Sequence, residues 1–212
     1  MYKLIFMLLV FFFLGCANDK KKKFEAKTSN KDTIYEKLWL CYPTIENPDE
    51  CIEYYISPLT DTIYNQIKVF TNGTLDTLKS KFYEINIFKT EKSNVYRANI
   101  TLHSRFDTLK VNKQNKRTFQ ILYLDFDGKY SIGSKESTSA NNLEFEFTNT
   151  KDNHLTGVLI DDVFRDTIIQ NEVMLNYGKT RILVDTRNST DNLFISSHRF
   201  LKEKSKNSIN IK

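Results

Sequence analysis

The chain has 212 residues with a formal net charge of +5, and 40% of its residues are hydrophobic. That is enough apolar material for one large or two small domains with a buried core. The positive charge is concentrated at the ends, because residues 17–23 and 202–212 each carry about +3, whereas residues 24–201 carry about −2. The body of the protein is therefore not basic, which excludes nucleic acid as a predicted partner.

Residues 1–15 have the pattern of a secretory signal peptide. Lys3 supplies a positive charge, and an apolar run of about eleven residues follows from Leu4 to Leu14. As a helix this run would be about 17 Å long, whereas the hydrocarbon core of a bilayer is about 30 Å thick. The run is too short to span a membrane and has the length of the apolar part of a cleaved signal.

Phe13, Leu14 and Gly15 before Cys16 resemble the lipobox of bacterial lipoproteins, with Phe13 where that motif usually has Leu. The resemblance implies that Cys16 is acylated and becomes the new N-terminus. Two or more acyl chains hold a protein on a membrane, because each buried methylene contributes about 0.8 kcal/mol. The next residue is Ala17 and not Asp, which in lipoproteins favours the outer membrane. The expected location is therefore the bacterial cell envelope, with a lipid anchor in the outer membrane.

The segments 16–31 and 202–212 are rich in lysine and contain few apolar residues. Such segments cannot bury enough apolar surface to offset the entropy of ordering. We predict that residues 16–31 form a disordered tether behind the lipid, and that residues 202–212 form a disordered basic tail.

Between these ends, the apolar pattern has mostly a period of two and is carried by Ile, Val, Phe, Tyr and Thr. This pattern predicts an all-β protein with antiparallel strands packed as a β-sandwich. A helix is expected only near Thr60–Ile67. The pairs Asn72-Gly73, Asp127-Gly128 and Tyr177-Gly178 are predicted to form turns, because tight hairpins need residues with positive φ. Eleven strands are expected: 37–42, 52–56, 66–71, 81–88, 96–102, 108–111, 118–126, 143–148, 156–161, 173–177 and 181–185.

The sequence DTLK occurs at residues 76–79 and again at 107–110, each time before a strand that ends in an apolar run. This repetition predicts two β-rich halves, residues 32–103 and 104–201, with one continuous sandwich as the alternative. The second half, with its opening DTL and the run LTGVLID at 155–161, resembles the small immunoglobulin-like modules of Bacteroidota envelope lipoproteins. The resemblance implies an immunoglobulin-like β-sandwich for residues 104–201.

Cys41 and Cys51 are separated by nine residues, which include Pro43 and Pro48. In an oxidising compartment such a pair is expected to form a structural disulfide, and two reduced buried thiols are the alternative. A bridge over so short a loop would contribute about 2 to 3 kcal/mol.

No cofactor, metal site or catalytic motif is predicted. The histidines are His103, His154 and His198, and none has the spacing of a zinc site. The sequence DFDG at 125–128 has too few ligands for a calcium loop, and a hairpin turn explains it better. An enzyme is therefore not expected, although a pair of carboxylates for hydrolysis needs only to be close in space, and the sequence selects no pair.

Two surface features remain open from the sequence. Trp39, Tyr42, Tyr54 and Tyr55 lie near the predicted disulfide and would form a platform for a ligand such as a carbohydrate, although core packing also explains aromatic residues in strands. Exposed strand edges would instead recruit another protein by strand addition.

Six Asp residues are followed by Thr, and in five of these pairs Ile or Leu comes next. This triplet resembles the acceptor motif of the general O-glycosylation system of exported Bacteroidota proteins. Turns capped by Asp before a strand that begins with Thr would produce the same triplet without a sugar. The resemblance implies O-glycosylation of Thr33, Thr62, Thr77, Thr108 and Thr167.

The sequence thus predicts a lipid-anchored, non-enzymatic protein of the cell envelope that presents a β-sandwich surface for binding or assembly. The expected partners are the membrane, through the anchor, and another envelope protein. A lipoprotein that binds a carbohydrate or another small molecule is one alternative, and a small hydrolase with an unrecognised carboxylate pair is the other.

Overall fold

The residues that alternate between apolar and polar form β-strands. The structure, a computed structural model, describes residues 34–42, 49–57, 62–138, 141–170 and 172–196. The predicted signal peptide, Cys16, the tether and the basic tail lie outside these ranges. The strands are β1 (Tyr35–Tyr42), β2 (Glu50–Ile56), β3 (Thr62–Thr71), β4 (Thr74–Leu75), β5 (Phe82–Lys89), β6 (Val95–His103), β7 (Asn115–Phe126), β8 (Tyr130–Ser137), β9 (Asn142–Thr148), β10 (Thr156–Ile169), β11 (Glu172–Asp185) and β12 (Ser189–Thr190).

These strands form three antiparallel sheets. Sheet 1 has the order β12-β1-β2-β3-β4, sheet 2 has the order β11-β10-β7-β8, and sheet 3 has the order β5-β6-β9. The prediction of an all-β, antiparallel sandwich is therefore confirmed. An isolated bridge between Ile67 and Lys81 connects the end of β3 to the start of β5, so that sheets 1 and 3 meet there.

Sheet 2 is covered on both faces, because its strands direct apolar side chains to each of the two faces. Phe119 and Ile121 of β7 pack against sheet 3 in the larger core cluster. Val158 and Ile160 of β10 pack on the opposite face in a second cluster, which includes Tyr55 of β2. A strand buried on both faces reads as a nearly continuous apolar run, and LTGVLI at 155–160 has this character.

The sheets do not divide at the boundary that the repeated DTLK predicts near Ser104. Strand β6, from the first predicted half, pairs with β9 from the second along its length. Strand β1 pairs with β12 at Tyr35 and Glu36. The described residues all fall within one compact unit.

The two DTLK copies form different turns. The carboxylate of Asp76 accepts a hydrogen bond from the backbone N–H of Lys79, three residues ahead. The carboxylate of Asp107 accepts from the N–H of Ser104, three residues behind. The strand predicted at 108–111 is a turn followed by irregular chain. The repeated sequence is therefore not a repeated structure.

Two further local predictions are wrong for identifiable reasons. Residues 62–67, within the predicted helix, belong to strand β3. Tyr177-Gly178 is not a turn, because β11 runs through it and pairs with β10 from end to end. Gly178 lies close to Phe106 in the strand, since a Cβ at this position would lie 3.1 Å from Cζ of Phe106. The turns at Asn72-Gly73 and Asp127-Gly128 are confirmed, with positive φ at Asn72 and at both glycines.

The ends of β10 and β11 project beyond their neighbour as a two-stranded arm. Strand β7 pairs with β10 only from Gly157 to Arg165, whereas β10 and β11 stay paired to Ile169 and Glu172. Ile168 on this arm keeps 73% of its surface exposed. The arm therefore adds apolar surface that the described core does not cover.

Candidate binding surfaces

Strand β1 has an edge that is mostly unpaired. Strand β12 covers it only at Tyr35 and Glu36, and the N–H of Lys37 donates to the carbonyl of Asn188. In an antiparallel pair, alternate residues direct their N–H and C=O groups to the same side, so those of Trp39 and Cys41 point away from β2. No described residue pairs with Trp39 or Cys41 on that side.

The chain leaves the β1 edge early because contacts before, within and after β12 hold it against sheet 2. The buried carboxylate of Asp185 accepts hydrogen bonds from Arg187 Nη2, at 3.1 Å, and from the hydroxyl of Thr190. The amide of Asn192 then donates to the carbonyls of Gly157 and Val184, at 3.1 Å each. These contacts hold the chain against sheet 2 after the two residues of β12. The remaining residues of β1 therefore have no described strand on this side.

The predicted disulfide between Cys41 and Cys51 is confirmed, and it fastens β1 to β2 at the open end of the edge. The two residues are direct partners across the strands, and their Cα atoms lie 4.0 Å apart. Such a short distance is typical of partners without hydrogen bonds between them. Because a covalent bond replaces the missing pair of hydrogen bonds, β1 is held in register while its other side remains accessible.

The outer face of sheet 1 beside this edge carries large apolar and aromatic side chains, with Glu36 and Glu50 at its two ends. Leu38 is 45% exposed and Leu40 is 37% exposed, although both lie in the middle of a strand. The side chain of Tyr54 lies next to Leu38 in the register and meets the ring of Tyr64 edge to face, at 6.3 Å between centroids. We define the β1 edge surface as the open side of β1 together with this face, which presents Leu38, Leu40, Tyr42, Tyr54 and Tyr64.

The four aromatic residues predicted as one ligand platform do not share a surface. Tyr42 and Tyr54 lie on the outer face of sheet 1, whereas Trp39 and Tyr55 have the opposite parity and lie on the inner face. Tyr55 is completely buried in the second core cluster. The prediction of a platform from all four is therefore wrong, because neighbouring strand residues such as Tyr54 and Tyr55 point to opposite faces.

Trp39 lies at the margin of the sheet and remains 38% exposed. The amine of Lys68 on β3 lies 5.2 Å from the centre of its ring. Trp39 is therefore accessible from the open edge while Lys68 supports it from the side of β3.

A buried polar network behind β2 and β3 holds sheet 1 against the rest of the protein. A bulge opposite Glu53 places both Asn65 and Gln66 on the inner face, and their amides donate to the same Glu53 oxygen, at 2.7 Å each. Asn65 also exchanges hydrogen bonds with the backbone of Leu183 on β11, at 2.7 and 2.9 Å. Gln66 accepts a bond from the N–H of Tyr83 on β5. The β1 edge surface therefore rests on a rigid support.

Sheet 3 presents a different outer surface, which is a polar groove. The groove has a volume of about 610 Å³ and is walled by the turn between β5 and β6. In the strand register, Phe88 lies beside Arg97 and Arg97 lies beside Glu146, while Asn99 lies beside Glu144. We call this surface the sheet 3 groove. Its main lining residues are Phe88, Lys92, Arg97, Asn99, Glu144 and Glu146.

Four charged side chains of the groove form ion pairs with one another. Arg97 lies 3.2 Å from a carboxylate oxygen of Glu146 and 3.6 Å from one of Glu144. Lys92 lies 3.4 Å from the other oxygen of Glu146. The hydrogen bond from Arg97, with the charge and hydrogen bond of Lys92, lowers the pKa of Glu146 below its usual value. Glu146 is therefore ionised at neutral pH and acts as an acceptor.

The threonines predicted as glycosylation sites occupy different positions, and Thr33 lies outside the described residues. Thr62 begins β3, whereas Thr77 and Thr108 lie in turns and Thr167 lies within β10. Thr62 and Thr108 are exposed, and the other two are half-buried. The explanation that the Thr of each triplet begins a strand therefore holds for Thr62 alone among these four. Glycosylation of the five threonines stays a prediction.

Among the described residues, no three His, Cys, Asp or Glu side chains converge as the ligands of a metal ion. His103 lies 3.6 Å from the carboxylate of Asp107 and stacks on Phe82, at 4.6 Å between ring centres. His154 lies within hydrogen-bond distance of the hydroxyl of Thr186. Both rings thus have structural partners.

None of the described residues forms a helix long and apolar enough to cross a membrane.

In comparisons with known proteins, the chain matches no family model, no curated protein sequence and no solved structure.

Proposed function

We propose that this chain is a lipid-anchored, non-enzymatic protein of the bacterial cell envelope, and that it binds an extended segment of another envelope protein at the β1 edge surface. The anchor part of the proposal is supported by the apolar run before Cys16. The binding part is supported by one structural observation, the open side of a β1 strand that is fastened to β2 and flanked by exposed large side chains.

Strand addition needs a free row of backbone N–H and C=O groups, and it needs side-chain contacts that add to the affinity for the partner. The N–H and C=O groups of Trp39 and Cys41 supply the first, since they point to the open side. Proteins usually protect such edges with charges, proline or bulges, but residues 38–42 are Leu, Trp, Leu, Cys and Tyr. An added strand would place alternate side chains against Leu38 and Leu40, which provides the apolar contact that backbone hydrogen bonds lack.

The position of β1 in the sequence suits a partner that is close to the membrane. Eighteen residues separate Cys16 from Tyr35, and a fully extended chain of this length reaches roughly 60 Å. The lipid would therefore keep the β1 edge surface within that distance of the bilayer. This reach favours a membrane-bound or membrane-proximal envelope protein as the partner.

The charges around Glu146 favour a binding role over a catalytic one for this carboxylate. Glu144 and Glu146 lie on the same face of β9, about 7 Å apart along the strand, which is the kind of pair that a glycosidase uses. One member of such a pair must keep its proton near neutral pH. Arg97 and Lys92 lower the pKa of Glu146, so this carboxylate does not have the raised pKa that the acid of such a pair needs.

A proline at position 39 tests the proposed edge directly. The Trp39 N–H points away from β2, so Trp39→Pro removes a donor of the open edge without removing a hydrogen bond from the β1–β2 ladder. We expect Trp39→Pro to abolish the co-purification of a specific partner with the tagged, lipid-anchored protein from its own membranes. We expect the matched variant Trp39→Thr, which keeps the N–H, to retain the partner with reduced affinity.

Both variants should melt within a few degrees of the wild type, which shows that the sheet is intact. The proposal fails if Trp39→Pro retains the same partner as Trp39→Thr, because the backbone edge would then play no part. It also fails if every protein that co-purifies with the wild type or with Trp39→Thr also co-purifies with Trp39→Pro.

A further inference from the structure

The sheet 3 groove has the chemistry of a ligand site that is separate from the β1 edge surface. It lies on the outer face of β5, β6 and β9, and its floor is built from three strands in fixed register. The ladder fixes the backbone of this floor and therefore the points from which the lining side chains project. Its volume of about 610 Å³ lies within the range of about 300 to 1,000 Å³ that is typical of small-molecule sites.

One aromatic ring stands in the groove among polar groups. Phe88 keeps 58% of its surface exposed. Its ring stacks on no aromatic ring or cation among the described residues. The exposed ring offers an apolar face to a partner, and it is surrounded by polar groups that a purely apolar partner would leave without hydrogen bonds. A fitting ligand therefore has an apolar face for Phe88 and polar groups along its rim.

The charges of the groove determine the class of this ligand. Lys89, Lys92 and Arg97 are balanced by Glu91, Glu144 and Glu146, so the lining carries no formal net charge. Such a site does not concentrate phosphates, nucleic acids or polycations. It does offer donors and acceptors side by side, because Arg97 and Lys92 donate, Glu144 and Glu146 accept, and Asn99 does both.

We infer that the sheet 3 groove binds a neutral saccharide. A pyranose ring has a face of C–H groups that covers Phe88, and its hydroxyls donate and accept at the same time, as the paired charges and Asn99 require. The ion pairs bring Arg97 close to Glu144 and Glu146, so that donors and acceptors stand side by side for the hydroxyls of the sugar. The inference does not depend on the partner at β1, because the two surfaces belong to different sheets.

Binding by a panel of neutral oligosaccharides tests the inference, with calorimetry of the full chain against hexasaccharides of glucose, mannose and N-acetylglucosamine. We expect at least one of them to bind, and Phe88→Ala to weaken it by about two- to tenfold, because the variant loses the aromatic contact with the sugar. Asn99→Ala should weaken the same ligand, whereas Trp39→Pro should leave its affinity unchanged. The affinity should also stay constant between about 0.05 and 0.5 M salt, since the ligand is uncharged.

Inorganic phosphate and a sulfated oligosaccharide serve as charged probes. The inference is overturned if none of the neutral hexasaccharides binds, or if only the charged probes bind. It is also overturned if Phe88→Ala and Asn99→Ala bind as tightly as the wild type, since the sugar would then lie elsewhere. Release of shortened sugars in the same samples would contradict the assignment of Glu144 and Glu146 as hydrogen-bonding groups.

Discussion

Replacing Arg117 by methionine should lower the free energy of unfolding by about 3 to 5 kcal/mol, because the change leaves a buried carboxylate without its counter-charge. Arg117 on β7 and Asp161 on β10 form a two-pronged ion pair, with nitrogen to oxygen distances of 2.7 and 3.1 Å. Their side chains are 5% and 0% exposed. Chemical denaturation of Arg117→Met and of the wild type measures the difference.

The loss should depend on pH in a defined direction. Burial raises the pKa of Asp161, and the hydrogen bond from Arg117 opposes this increase. Without Arg117 the folded pKa of Asp161 moves further above its unfolded value, so protonation favours the folded state more strongly in the variant. The stability gap between variant and wild type should therefore be widest near about pH 7 and narrow toward about pH 5.

Two control variants separate this pair from general effects of the substitutions. Lys116→Met removes an exposed cation at the neighbouring position and should change the free energy of unfolding by about 0.5 kcal/mol or less. Adding Asp161→Leu to Arg117→Met removes both charges and should recover much of the lost stability, as replacement of buried ion pairs by apolar residues often does. If Arg117→Met is as stable as Lys116→Met, the Arg117–Asp161 ion pair does not make the expected contribution to the free energy of unfolding.

Cys16→Ser should eliminate acylation of the protein in its native host. If Cys16 is the lipid anchor, a clickable fatty acid will label the wild type and the label will be absent from the variant. The wild type should also partition into a detergent phase. Cys51→Ser is the matched control, since it removes a different cysteine and breaks only the disulfide. Label that persists in Cys16→Ser, or a wild type that carries none, would contradict the proposed anchor.

The period-two pattern is sufficient to predict most strands. In a half-buried strand of an antiparallel sheet, apolar residues of the buried face alternate with polar residues of the exposed face along the sequence. Strand β8, with the sequence YSIGSKES, was missed because it is an edge strand whose exposed residues show no apolar alternation. The sequence does not predict the continuity of β11, because the pair Tyr177-Gly178 is typical of a turn. In the structure Gly178 lies within the strand, close to Phe106.

The candidate surfaces depend on pairings that a sequence does not display. Whether β1 has an open side depends on how far β12 covers it, and β12 is only two residues long. The groove combines Phe88 from β5, Arg97 from β6 and Glu146 from β9, which become neighbours only in the folded register. The failure of the aromatic platform is different, because the opposite parity of Tyr54 and Tyr55 was already visible in the sequence.

Site-specific photo-crosslinking from β1 tests the central claim most directly. A benzophenone amino acid at position 40 would lie on the exposed outer face beside the open edge, and the same group at position 132 would lie on β8, another exposed edge strand. After irradiation of intact native membranes, we predict one discrete adduct with another envelope protein from position 40. That adduct should be absent from position 132 and should disappear when Trp39→Pro is added. No adduct from position 40, or the same adducts from both positions, would contradict strand addition at the β1 edge surface.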